Sequence, residues 1–243
     1  RSADPERLAR HYLEAGDLDL ALHWLLRALD HLVSSSRYTS ERLLEEAYEV
    51  LRELDPPASD PRHGEVWLFH AGLLYGRRDF DDADRIGGRL LKAARMHGWA
   101  ELEGKALRLM GKLQREQGDH ERALATLLEA EAQLHTLGLL DRCLDCWIAA
   151  GDVMRHKGRL DEAEEAYLHA VTLISRDMEA RYAIQPHQAL ADLALARGDI
   201  EAGLAHVAAA ESTVEGWMLG GRARLANTRG ELERKAGRPR QAA

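Results

Sequence analysis

Apolar and polar residues run along this chain in blocks rather than in strict alternation. Segments of about 16–18 residues, rich in Ala, Leu, Glu and Arg, are separated by short punctuation. Those four residue types are good helix formers. Gly98, Gly118, Gly138 and Gly158 stand 20 residues apart, Gly198 lies 40 beyond Gly158, and Gly237 follows 39 later. Stepping back from Gly98 reaches Arg78, Pro57, Ser36 and Gly16, each set in turn or helix-stop surroundings. No segment sustains the period of two, or the β-branched enrichment, that a strand requires. The pattern predicts about twelve antiparallel helices, each roughly 25 Å long, joined by very short turns.

Alternate segments resemble one another more than neighbours do, so the unit is a helix pair of about 40 residues. Five residues after the turns at Gly118, Gly158 and Gly198 come the small residues Ala123, Ala163 and Gly203. Four further on stand the larger Leu127, Tyr167 and Val207, and three beyond those Ala130, Ala170 and Ala210. Seven residues before the same turns come Gly111, Gly151 and Ala191. Small residues at fixed positions let two helices approach closely while the bulky one fills the gap beside them.

These residues resemble the tetratricopeptide repeat, a helix-turn-helix unit. The best copy runs from Trp147 through Gly151, Met154, Gly158, Ala163 and Tyr167 to Ala170. Gly16 to Ala21 with Ala28 is another, and Trp67, Ala71, Phe80 and Ala83 a third. The resemblance implies an all-α fold, a right-handed α-solenoid of antiparallel helix pairs, with longer helices than the usual unit. Residues 58–243 read as the regular array and 1–57 as irregular N-terminal helical repeats, the helix at 40–54 being a half-unit. Gly87 and Gly88 fall inside a predicted helix, so a neighbouring backbone comes close there or the helix breaks. Pro186 predicts a helix start or a kink. The start lacks Met, and the tail after Gly237 begins another helix and stops. Both features read as a fragment truncated at its C-terminal end, a monomer or a weak dimer through the uncapped helix.

Composition narrows the function classes. Lys and Arg number 33 against 41 Asp and Glu, a formal charge of −8 that disfavours direct nucleic-acid binding. No run approaches a membrane span, and no apolar stretch near the start resembles a secretory signal. Charged residues at 30% and apolar ones at 45% exclude a disordered tail.

Enzyme and cofactor motifs come out negative. Gly98 to Ala106 resembles a phosphate loop only superficially: the spacing is one residue too long, Ala106 replaces the Mg²⁺-binding hydroxyl, and no strand precedes it. The 12 histidines are scattered without metal-ligand spacing. Cys143 and Cys146 share one helix face, but with no second ligand pair they read as packing thiols of a cytoplasmic protein. No catalytic, metal or cofactor-binding residue is assigned. The five tryptophans, Trp217 among them, fall at different registers and read as packing rather than as a ligand ladder.

Lys105, Arg108, Lys112 and Arg115, spaced three, four and three apart, place four cations on one stripe of one helix. Leu107, Met110 and Gly111 lie on the opposite stripe. In the register of the resemblance the basic stripe lines a concave partner-binding groove, continued by Asp152 and Arg155, by Gln188 and Asp192, and by Asn227. Two readings stay open. The cations form a solvated face bridged to Glu101 or Glu116, or they receive an acidic peptide through bidentate contacts. Asp152 stands where the carboxylate clamp of chaperone co-factors wants Asn, so a chaperone-tail receptor is not expected.

The stretch from Glu6 to Ala21 is similar to the one following the ATPase module in maltose-regulator-like transcription activators. It is also similar to that of ATPase-linked bacterial serine/threonine kinases. That resemblance implies a sensor region binding a protein or peptide partner within a larger signalling protein. A free-standing adaptor or assembly factor, or a peptide-pheromone receptor, is the alternative.

Overall fold

The computed structural model describes residues 4–32, 37–174, 180–212 and 219–237, and all regular secondary structure among them is α-helix. The helices are α1 (Pro5–Ala15), α2 (Leu18–Leu32), α3 (Arg37–Leu54), α4 (Pro61–Gly76), α5 (Phe80–His97) and α6 (Ala100–Glu116). They continue as α7 (His120–Thr136), α8 (Leu140–His156), α9 (Leu160–Thr172), α10 (Ala180–Arg197), α11 (Ile200–Ser212) and α12 (Leu219–Lys235). The chain divides into two units, Arg1–Gln117 and Gly118–Ala243.

The 20-residue punctuation is a backbone event. Gly16, Gly98, Gly118, Gly138, Gly158, Gly198 and Gly237 all take the left-handed conformation, with φ between 69° and 84°. Where the same step lands on a non-glycine, Arg78, the backbone is left-handed too, at φ 64°. After most of these turns the next N–H reaches back five residues to close the helix end. Asp79 bonds to the Leu74 carbonyl at 3.0 Å, Trp99 to Ala94 at 2.9 Å, Leu139 to Leu134 at 3.1 Å, Arg159 to Met154 at 3.0 Å and Asp199 to Ala194 at 2.9 Å. Aspartates just past a glycine open the following helix, the Asp119 carboxylate accepting from the Arg122 N–H and Asp199 from that of Ala202.

Each unit is a double layer. In the first, consecutive helices pack in order and α2, α4 and α6 also touch one another in a row. In the second, α8, α10 and α12 form the continuous row, whereas α9 and α11 are not in contact among the described residues. The row of α8, α10 and α12 is the set of helices on which the sequence register places the inner face. The single helix α3 is the half-unit read at residues 40–54. With one helix inserted between the turns at Gly16 and Arg78, α2 comes to lie beside α4. The predicted turn at Ser36 lies outside the described residues, as do Trp217 and the tail beyond Gly237.

The repeated small positions carry the packing. Ala83, Ala123 and Ala163 are fully buried, as are Leu127, Tyr167 and Val207 and the alanines at 130, 170 and 210. Gly203 is buried at the equivalent position. A Cβ on Gly151 would stand 2.4 Å from Tyr167 Cε1, so the ring lies directly on the α8 backbone. Gly87 and Gly88 separate into two cases within an unbroken α5. A Cβ on Gly87 would meet Met110 Sδ at 2.8 Å, whereas nothing lies within 4 Å of one on Gly88. The helix α10 runs through Pro186, which has no N–H to give to the Tyr182 carbonyl one turn back.

The 40-residue period reappears in the polar contacts. Lys157 pairs with Glu121, and one repeat later Arg197 pairs with Asp161 at 2.6 Å. The Trp99 indole N–H donates to the Ser59 carbonyl, and Arg115 donates to the Tyr75 hydroxyl, each across 40 residues.

Gly88→Ala is expected to stabilise the fold by about 0.5–1 kcal/mol, since it removes helix-interior glycine without meeting a neighbour. Gly151→Ala is expected to cost about 2 kcal/mol or more by overpacking against Tyr167. Thermal melts of the two variants should move in opposite directions.

Candidate functional site

The inner face of the second unit is built from one stripe on each of α8, α10 and α12. The Tyr167 hydroxyl, at the end of a ring pinned over Gly151, donates to Asp152 Oδ1 at 2.8 Å. Arg155, one turn along α8, lies with its guanidinium 3.7 Å from the same oxygen. Burial works against the Arg155 charge, but the Tyr167 oxygen, Asp152 and Asp192 outweigh it and raise its pKa. Burial and the Asp152 carboxylate in turn push the Tyr167 phenol upward, so it stays protonated as a donor.

Gln188 is the buried centre of the strip, 5% exposed. Its Nε2 donates to Asp192 Oδ1 at 2.7 Å and to Thr228 Oγ1 at 2.8 Å, and the Thr228 hydroxyl donates to Asp192 Oδ1 at 2.9 Å. Its Oε1 is buried without a hydrogen-bond partner. Arg224 Nη2 stands 4.0 Å from the other Asp192 oxygen. Around this fixed core Arg155, Arg224 and Asn227 are exposed. The strip therefore offers two guanidinium forks and an amide to solvent, held over carboxylates that already have internal donors.

Sequence reasoning placed Asp152, Arg155, Gln188, Asp192 and Asn227 on one set of inner helices; the structure groups Asp152 with Arg155 on α8 and Gln188 with Asp192 on α10, and the Asp192 charge acts on Arg155 between them. It missed Thr228 and the Tyr167 hydroxyl. Thr228 lies 40 residues after Gln188, one repeat along, so the period itself was a signal for it. For the tyrosine, the packing requirement hid the polar role of its tip.

The basic stripe belongs to the first unit, on α6. Lys105 pairs with Glu101, and Arg115 donates to both Glu116 and the Tyr75 hydroxyl. Burial raises the pKa of Glu116, but the Arg115 bond and charge outweigh it and hold the carboxylate below its usual range. Arg108 and Lys112 are half-buried and likewise engaged in interactions of their own. Leu107, Met110 and Gly111 are buried on the opposite side, as their register requires.

Cys143 and Cys146 are both buried thiols. The Cys143 thiol donates to the Glu131 carbonyl at 3.7 Å, and burial pushes its pKa up to about 11, far from a reactive thiolate. Three or more His, Cys, Asp or Glu side chains placed to hold a metal ion are not found among the described residues. The segment from Gly98 to Ala106 is a helix start with Trp99 buried on Ser59, not a phosphate cradle. The Trp67 ring lies under the Arg89 guanidinium, 4.1 Å from its centroid.

Within the second unit, the helix pair that carries Gly151, Asp152 and Tyr167 decides the comparison. Residues 144–177 match the tetratricopeptide repeat. The match covers most of α8, its turn and α9, the helix pair whose residues resemble that repeat most closely. No curated protein matches the chain. Solved structures match along nearly its whole length. BtubC (BKLC) from P. vanneervenii aligns with a TM-score of 0.63 at 18% identity, over 99% of this chain and 92% of that one. A thermophilic tetratricopeptide-repeat protein of Thermus thermophilus gives 0.53 at 23%, over 92% and 96%. The pilF protein of Pseudomonas aeruginosa gives 0.50 at 16%, over 95% and 89%. At these identities the likeness is one of fold: an all-α tetratricopeptide-type solenoid. No helix among the described residues is long and apolar enough to cross a membrane.

Tyr167 separates the two roles of the strip. Tyr167→Ala is expected to cost about 3 kcal/mol or more as a buried aromatic deletion. Tyr167→Phe is expected to cost about 1 kcal/mol, leaving the ring in place and Asp152 short of one donor. Denaturant unfolding of both variants measures the difference.

Proposed function

We propose that this chain is a protein-interaction scaffold that takes a peptide or protein segment along its inner helix faces. We further propose that it serves as the sensor region of a larger bacterial signalling protein in the cytoplasm, a serine/threonine kinase or transcription regulator with an ATPase module. The observation that carries the first part is the strip of Asp152, Arg155, Gln188, Asp192 and Thr228. Three successive inner helices contribute to it, its core is fixed by hydrogen bonds, and Arg155 and Asn227 remain at the surface. A fixed polar lattice with exposed donors matches an extended polypeptide, whose carbonyls and carboxylates repeat at regular intervals.

On α6 the basic stripe of Lys105, Arg108, Lys112 and Arg115 fits an acidic segment, but such a segment has to displace Glu101 and Glu116 from their cations. Binding there is an exchange of carboxylates, with modest affinity and strong salt dependence. Support for the sensor role comes from the stretch between Glu6 and Ala21, folded as α1, the Gly16 turn and the start of α2.

A photo-crosslinking residue placed at Asn227 or Arg155 is expected to capture a partner in host cells, while one at exposed Leu168 on the outer layer captures none. Equal capture from both faces would overturn the inner-face reading. Immunodetection of the native protein tests the second part. A band far above 27.2 kDa supports a multidomain parent, and a band at that mass leaves a self-contained adaptor.

A further inference from the structure

Two histidines meet where α10 packs on α11. His187 Nδ1 and His206 Nδ1 are 3.4 Å apart, with ring centroids 5.7 Å apart and both side chains half-buried. Between two imidazole nitrogens only one proton can lie, so one ring donates and the other accepts. Full protonation of both leaves no acceptor and sets two cations against each other inside a packed interface. Among the described residues, Glu164 on α9 acts on His206 and favours its charged form, and its carboxylate is engaged by Arg197 of α10. Glu211 of α11 pairs with Arg229 of α12, and Asp192 of α10 faces Arg224 of α12. Carboxylates already tied to arginines are poorly placed to compensate a second imidazolium.

We propose that the His187–His206 contact is a proton-operated catch between α10 and α11, closed while the pair shares one proton and released when both rings are charged. Burial lowers the proton affinity of both rings, in His187 first by desolvation and then by its neighbour. An unfolded histidine takes its proton near pH 6.5. Below that value the released state binds more protons than the packed one, so stability of the pair falls as pH falls and is fully present above it. The catch adjoins the inner strip, because Gln188 follows His187 on α10 and holds Asp192 and Thr228 from the other side. Acidification would therefore loosen the strip from behind. That consequence for binding rests on the inner-face reading; the release of α11 does not.

Amide hydrogen exchange on the whole chain, corrected for intrinsic rate, tests the release without any partner. Protection of α11 is expected to drop about tenfold or more between pH 7.5 and 5.5, relative to α8 and α9. The double variant His187→Gln with His206→Gln keeps a hydrogen-bonding pair that does not titrate, and its α11 protection is expected to be the same at both pH values. An unchanged α11 in the parent chain, or an equal loss in the double variant, overturns the proposal. Should the double variant fail to fold, imidazole NMR of the parent decides. One ring resisting protonation until α11 opens supports the catch, and both rings charging near pH 6.5 in the folded protein overturns it.

Discussion

Close approach of helix to helix at small side chains is the contact on which the molecule depends. At Gly151 the α8 backbone is so near the Tyr167 ring that no Cβ fits between them. The buried alanines at 123, 163, 130 and 170 hold the same spacing elsewhere in the second unit. Such contacts hold only if every helix presents them in phase, and the turns enforce that. A left-handed residue at a fixed step reverses the chain within two or three residues and starts the next helix at a set rotation. Length, turn and small-residue register are thus one constraint expressed three ways, and a change in any one would displace the other two.

Because of this regularity, most of the architecture was legible from residue spacing. The glycine steps located the turns, including the one closed by Arg78, where composition alone argued against a left-handed residue. The five-, nine- and twelve-residue offsets named the buried positions. What spacing could not resolve was orientation beyond the helix face. Gly87 and Gly88 are equivalent as letters, and only the position of Met110 on α6 distinguishes the glycine that faces a neighbour from the one that does not. Of the start or kink expected at Pro186, the start is excluded: α10 passes through it, giving up one donor there while neighbours on both sides hold it.

The candidate site was legible in the same partial way. Helical period gives a face, so Asp152, Gln188 and Asp192 could be aligned without coordinates. Whether a face residue points outward as a ligand contact or inward as a structural bond depends on side-chain reach, which the period does not encode. Gln188, assigned to the groove stripe of α10, is buried, and Thr228 one repeat along is buried with it, whereas Asn227 beside Thr228 is exposed. One stripe can thus mix residues that build its floor with residues left at its surface.

Successive repeats of the second unit are fastened at two places of different character. At the turn ends, Lys157 with Glu121 and Arg197 with Asp161 join them through side chains whose acidic members are 76% and 97% exposed. Midway along the inner face, Gln188 and Thr228 join them through a bond shielded from solvent. Dissolved ions weaken the first kind of fastening and scarcely reach the second. The unit is in this sense held along one margin that dissolved ions reach and along one seam that they do not.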